Sequence, residues 1–136
     1  SGAFVAVLSF AALRGMPLEA HYGASKAAAA RFLQALQFEY PHSIRIEAIF
    51  PGSIATPFRS RVPHFGVTPA DTARGGDPPE RAAQAIMDLL DGSSRPRPVG
   101  MKAHAIATLD RISPRLYDRL TRHRMRAFVR SRSYPS

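Results

Sequence analysis

Cysteine is absent from the 136-residue chain. That excludes a disulfide framework, thiolate chemistry and any zinc–thiolate site. Long apolar runs are absent too. None approaches the ~18 residues that a membrane-spanning helix needs. The opening run is too short, and lacks the basic flank, to be a secretory signal. A soluble, cytoplasmic protein is the expectation. Acidic residues are scarce at one end only. Residues 95–136 hold eleven Lys/Arg against Asp110 and Asp118, whereas residues 1–94 hold eight of each sign. The formal net charge of +9 therefore belongs to the tail. His21, His42, His64, His104 and His123 show no metal-ligand spacing beside a carboxylate, so no metal site is expected. His21, next to Tyr22, reads as a surface residue or as lining of a pocket mouth, and the other four as solvated. The length allows one domain. The chain starts at Ser1 and enters an apolar run at once, which reads as a piece of something longer.

What is present centres on residues 9–26. Ser9 follows the apolar run Ala3-Phe-Val-Ala-Val-Leu8, and Tyr22 and Lys26 lie four apart beyond it. Residues four apart on a helix share a face. A lysine ammonium one turn from a tyrosine hydroxyl favours the phenolate by Coulomb attraction, which suits a general acid/base. Tyr-x-x-x-Lys alone recurs by chance. Taken singly, Ser9 is equally a loop serine, Tyr22 an aromatic at a helix start and Lys26 a solvated charge. A serine after a strand, Ala-Ser between Tyr and Lys, and a downstream Pro51-Gly52 turn make the set specific.

Three pieces resemble the short-chain dehydrogenases/reductases. They are Phe4–Ser9, Tyr22-Gly-Ala-Ser-Lys26-Ala-Ala, and the run from Ile44 through Pro51-Gly52-Ser-Ile-Ala-Thr56. The spacing of thirteen from Ser9 to Tyr22 fits that family. The resemblance covers roughly residues 1–100 and matches only the later half of a family member. It implies a Rossmann-like α/β fold, a partial doubly wound parallel sheet, and NAD(P)-dependent hydride transfer between alcohols and carbonyls. It implies Tyr22 as proton donor and acceptor, Lys26 on the nicotinamide ribose, and Ser9 on the substrate oxygen. Pro51, Gly52, the Ile54 backbone and the Thr56 hydroxyl would meet the nicotinamide end of NAD or NADP. The family's Gly-rich phosphate loop has no counterpart here. Gly75-Gly76 precedes a helix, but no strand comes before it and there is no Gly-x-Gly-x-x-Gly. The relay asparagine and the residue that selects NAD or NADP are missing as well. An inactive truncated product, or an interaction module using a basic tail, is the rival reading.

The elements follow in order. Residues 3–8 suit a strand buried on both faces of a parallel sheet, with Ser9 at its carboxyl end, where open α/β sheets bind ligands. Residues 22–40 read as a long alanine-rich helix stopped by Pro41. Ala28, Phe32, Ala35 and Leu36 make one apolar stripe, with Leu33 and Phe38 off it. Such a helix wants two partners: the family resemblance implies a homo-oligomer contact there, and cover by other parts of the same chain is the alternative. Residues 44–50 form a second strand. Residues 57–76 are rich in Pro and Gly and irregular, and by resemblance close over the substrate.

Asp77-Pro78-Pro79-Glu80 starts a helix, with Asp77 as cap. Ala82, Ala85, Ile86, Leu89 and Leu90 share its inner face, and Gly92 ends it. Residues 95–100 are a candidate last strand, weakened by Pro96 and Pro98. Residues 101–136 form a basic helical tail that breaks at Ser113-Pro114. The tail reads three ways: a solvated cap, an anionic lipid or acidic-partner surface, or nonspecific nucleic-acid contact. Its aromatics are sparse, which argues against base stacking and specific nucleic-acid binding.

Overall fold

The computed structural model describes residues 2–57, 76–93 and 98–131. The irregular stretch assigned to residues 57–76 lies almost entirely outside these, and so does Arg95.

Three parallel strands form the centre. Strand β1 (Gly2–Val7) pairs with β2 (Ile44–Pro51) in a register running from Gly2 opposite Ile44 to Val7 opposite Ile49. The end of β2 pairs with β3 (Pro98–Val99) through Phe50–Pro98 and Pro51–Val99, giving the order β1-β2-β3. Helix α1 (Ala20–Glu39) links β1 to β2, and α2 (Pro79–Leu90) links β2 to β3. Helices α3 (Met101–Ile112) and α4 (Pro114–Ser131) follow. Strand and helix alternate through the sheet, as parallel pairing requires. The fold is α/β.

Side chains alternate across a strand, so Ile46 and Ile49, three apart, point to opposite faces. Ile49 joins Leu89 of α2 and Val99 of β3 in the core, with Val5, Ala82, Ala85 and Ile86 packed around them. Ile46 is buried on the other face. There α1 packs against β2, and the Gln37 amide Nε2 donates to the Ile46 carbonyl.

Three expectations change. Strand β1 is not buried on both faces: Gly2, Ala3, Phe4 and Val7 are exposed. Among the described strands only β2 lies beside it, so one edge and much of its surface stay uncovered. The apolar stripe of α1 turns outward. Phe32 is 63% exposed and Phe38 76%, with Ala28 and Ala35 also at the surface, while Leu33 and Leu36 are half-buried. The start of α2 differs too. Pro78 is the N-cap and Asp77 gives no cap hydrogen bond; its carboxylate pairs instead with Arg81, 3.0 Å away.

The far end of α2 is closed by two devices. Gly92 takes φ +74°, a left-handed conformation that glycine adopts at little cost, and its N–H donates to the Leu89 carbonyl. The Arg45 guanidinium donates to the Leu90 carbonyl, placing a cation at the negative end of the helix. Pro114 opens α4 where the sequence puts the break. Among the described residues, no helix is long and apolar enough to cross a membrane.

Candidate active site

Ser9 ends the β1 run and caps a short 3-10 turn, Phe10–Ala12. Its backbone is extended, and its Oγ accepts from the Ala11 N–H at 3.2 Å. That bond uses a lone pair and leaves the hydroxyl proton free to be donated. Phe10 and Ala11 are buried, so the turn that holds Ser9 is anchored in the body.

Tyr22 lies in the first turn of α1, with the helix opened by the Gly23 N–H donating to Glu19 O at 2.8 Å. Gly23 is buried, and a Cβ there would lie 3.1 Å from the Ala11 carbonyl oxygen. A glycine at this position therefore lets the first turn of α1 sit directly against the turn that carries Ser9. The helix starts two residues before the expected Tyr22, which puts Tyr22 and Lys26 within the same run of helical backbone. The Lys26 Nζ stands over the Tyr22 ring, 5.7 Å from its centroid, in cation–π range. Ser9, Tyr22 and Lys26 are all half-buried. The sequence thus places one hydroxyl, one phenol and one ammonium on two adjoining turns at the carboxyl end of the sheet.

Pro51 and Gly52 close β2. Pro51 is buried, and the Gly52 N–H donates to Val99 O at 3.1 Å. Ile54 forms a parallel bridge with Asp77: Asp77 N–H donates to Ser53 O and Ala55 N–H to Asp77 O, each at 2.8 Å. The Thr56 N–H donates to Ile54 O at 2.9 Å. Gly76 makes the bridge possible, because a Cβ there would fall 2.5 Å from the Ala55 nitrogen. The significance of Gly76 is therefore this close approach, not phosphate binding. Ser53 and Ile54 are half-buried and Thr56 is exposed.

The donors at these two strand ends suit the nicotinamide–ribose corner of a dinucleotide. Hydroxyl, phenol and ammonium groups match ribose and carboxamide chemistry, and the glycine-supported turn after β2 offers backbone groups. No part of the sequence supplies the Gly-rich loop for the phosphates. Among the described residues no group of three His, Asp or Glu is placed to hold a metal ion.

Sequence reasoning passed over Arg14. Its guanidinium lies 3.1 Å from Asp110 Oδ1 in α3, donates to Asp118 Oδ1 in α4, and stands 5.0 Å from the centroid of the Tyr117 ring. Tyr117 in turn donates its hydroxyl to Met16 Sδ at 3.6 Å. Tyr117 is 7% exposed, whereas Leu116 and Leu120 of α4 lie at the surface. Leu18, in the same connection, takes φ +66°, a conformation uncommon outside glycine. The available signal was the pair of acids in an otherwise cationic tail.

Residues 1–65 match the family model described as short chain dehydrogenase. The chain is 30% identical over 123 residues to the uncharacterized oxidoreductase YxnA of Bacillus subtilis, covering 88% of this chain and 35% of that protein. It is similar to a short chain dehydrogenase from Burkholderia cenocepacia solved in complex with NADP, with a TM-score of 0.71 and 30% identity. That match covers 88% of this chain and 47% of the other. A short-chain dehydrogenase from Streptomyces avermitilis gives a TM-score of 0.66 at 25% identity, covering 90% of this chain and 52% of the other. The chain thus spans about a third of the curated relative and about half of each solved one.

Proposed function

We propose that this chain, which matches the short chain dehydrogenase model over residues 1–65, forms the nicotinamide- and substrate-facing part of an NAD(P)-dependent alcohol/carbonyl oxidoreductase. The observation that carries this reading is the docking of the Ser9 turn against the first turn of α1 at Gly23. It brings the turn that carries Ser9 against the helix turn that carries Tyr22. A bound nicotinamide dinucleotide supplies the hydride for reduction, or takes it in oxidation.

The chain's own groups do the rest. Ser9 donates its free hydroxyl proton as a hydrogen bond to the substrate oxygen, where negative charge grows as a carbonyl is reduced. Tyr22 gives its phenolic proton to that oxygen and takes it back in the reverse direction. Lys26 places positive charge against the Tyr22 ring and is positioned to hold the ribose hydroxyls. Pro51 and Gly52 set the turn after β2, where the Ile54 backbone and Thr56 hydroxyl would meet the carboxamide or phosphates. Because the phosphate loop has no counterpart, whole-cofactor binding requires a second half from outside this sequence.

The test is to join residues 1–136 to a Gly-rich dinucleotide-binding half and to follow NADPH or NADH absorbance over a panel of carbonyls. Carbonyl-dependent oxidation is expected. Nucleotide binding without turnover on any substrate would remove the catalytic reading.

A second reading, of a different class, is supported by α4. Arg115, Arg119, Arg122 and Arg126 recur at i, i+4, i+7 and i+11, which puts them on one stripe beside exposed Leu116 and Leu120. That stripe suits an anionic lipid surface. Binding to vesicles containing an anionic phospholipid is expected at low salt and is lost at high salt. Replacing Arg115, Arg119 and Arg126 with glutamine is expected to weaken it about 100-fold. No binding at low salt would eliminate the lipid surface.

A further inference from the structure

The two acids of the tail lie on different helices, Asp110 near the end of α3 and Asp118 in α4. Both approach one guanidinium, that of Arg14, which lies in the connection between Ser9 and Tyr22. We propose that Arg14 is a positioning residue that ties the catalytic connection to α3 and α4, so that the placement of Ser9 and Tyr22 depends on the C-terminal helices. This rests on the functional reading of Ser9, Tyr22 and Lys26 given above.

Four contacts converge on the tie. The Arg14 guanidinium pairs with Asp110 and Asp118, and its Cζ stands over the buried Tyr117 ring, 5.0 Å from the centroid. The Tyr117 hydroxyl reaches Met16, two residues beyond Arg14. A planar fork can hold two carboxylates and an aromatic face together, which an ammonium cannot do as well. Asp110 Oδ1 is buried and has no aligned hydrogen bond, so the charge of Arg14 at 3.1 Å is what compensates it. Asp118 has a further cation, Arg122 on its own helix, with 3.8 Å between Nη2 and Oδ2. On the other side, the connection is fixed to Ser9 through the short 3-10 turn, in which Ala12 N–H donates to Ser9 O and Leu13 N–H to Phe10 O. Arg14 follows Leu13 directly. A shift at Arg14 is therefore passed to the turn that orients the Ser9 hydroxyl and abuts Gly23.

A tail with a net charge of +9 would otherwise repel an arginine in the body. Its two carboxylates instead form the one patch where such an arginine is attracted. The helices thus gain a defined seat.

The test compares Arg14→Met and Arg14→Lys with the parent chain by hydrogen–deuterium exchange. In Arg14→Met the amides of Ala11, Ala12 and Leu13 are expected to exchange at least about tenfold faster. The Leu8 amide, bonded to Ile49 O in the sheet, is expected to keep its rate. Arg14→Lys keeps the charge between the carboxylates and is expected to fall between the two. If Arg14→Met does not fold, the lysine variant carries the comparison. In the polypeptide joined to a dinucleotide-binding half, kcat is expected to drop about 10–100-fold, with KM for the nucleotide unchanged. Unchanged exchange at Ala11–Leu13, or faster exchange with kcat intact, overturns the proposal. Full activity of Tyr22→Phe would instead overturn the functional reading, and the exchange rates report on the tie independently of it.

Discussion

Replacing Tyr22 with phenylalanine is expected to lower turnover by about 10²–10⁴-fold, the usual share of a positioned general acid/base. The measurement is kcat for carbonyl reduction in the polypeptide joined to a dinucleotide-binding half. The substitution is narrow. The Tyr22 carbonyl, which accepts from Ser25 Oγ at 2.7 Å, is backbone and stays. The ring under the Lys26 ammonium also stays, so α1 keeps its first turn and the cation its seat. Only the phenolic O–H is lost, and with it the proton that the substrate oxygen must receive. Nucleotide affinity is expected to hold, which separates loss of chemistry from loss of binding. A Tyr22→Phe protein with undiminished kcat would falsify the assigned role.

Leu89→Ala is expected to destabilise the chain by about 2–5 kcal/mol, the range for removing a buried leucine. Leu89 is 2% exposed and Ile49 1%; among the described residues these are the largest fully buried side chains. Leu89 sits between Ile49 on β2 and Val99 on β3, so its loss opens a void where the strands meet α2. Few residues share the load, and whole domains are stable by only about 5–15 kcal/mol. One such cavity therefore removes much of the margin. The neighbouring Leu90→Ala is the control. Leu90 is 39% exposed and its carbonyl bond to Arg45 is backbone, so its cost is expected to be no more than about 1 kcal/mol. Urea unfolding followed by circular dichroism reads both. Equal midpoints would contradict this placement of the core.

The contrast between Leu89 and Leu90 shows what was legible in the sequence. Periodicity placed α2, its inner face and its end at Gly92, because i, i+3, i+4 spacing follows from helix geometry. It also put Leu90 inside, one position too far round the helix. Strands β1 and β2 and the break before Pro114 were equally readable, being set by local chain chemistry. The residues Ser9, Tyr22 and Lys26 were named from spacing, and the structure sets their turns against one another through Gly23.

What escaped notice depends on distant contacts. Nothing local distinguishes Arg14 from any loop arginine; its meaning comes from Asp110 and Asp118, about a hundred residues on. Tyr117 is one of few aromatics in a basic tail, and only the docked helix shows that it points inward. Asp77 has the pattern of a cap, yet Arg81 and the Ile54 bridge hold it elsewhere. The outward turn of Phe32 and Phe38 on α1 was also invisible, since an apolar stripe does not say what covers it.

The bridge between Ile54 and Asp77 has a consequence for how this chain can diversify. It pins the two ends of residues 56–76 at one point, with hydrogen bonds on either side of the junction. Whatever lies between is an excursion that leaves and returns through the same gate. The entropy of closing such an excursion grows slowly, by only about 0.6 kcal/mol for each doubling of its length. Insertions, deletions or wholesale exchange between residues 58 and 75 therefore load the sheet very little. That segment can be exchanged while the strand ends that carry Ser9 and Gly52 stay in register.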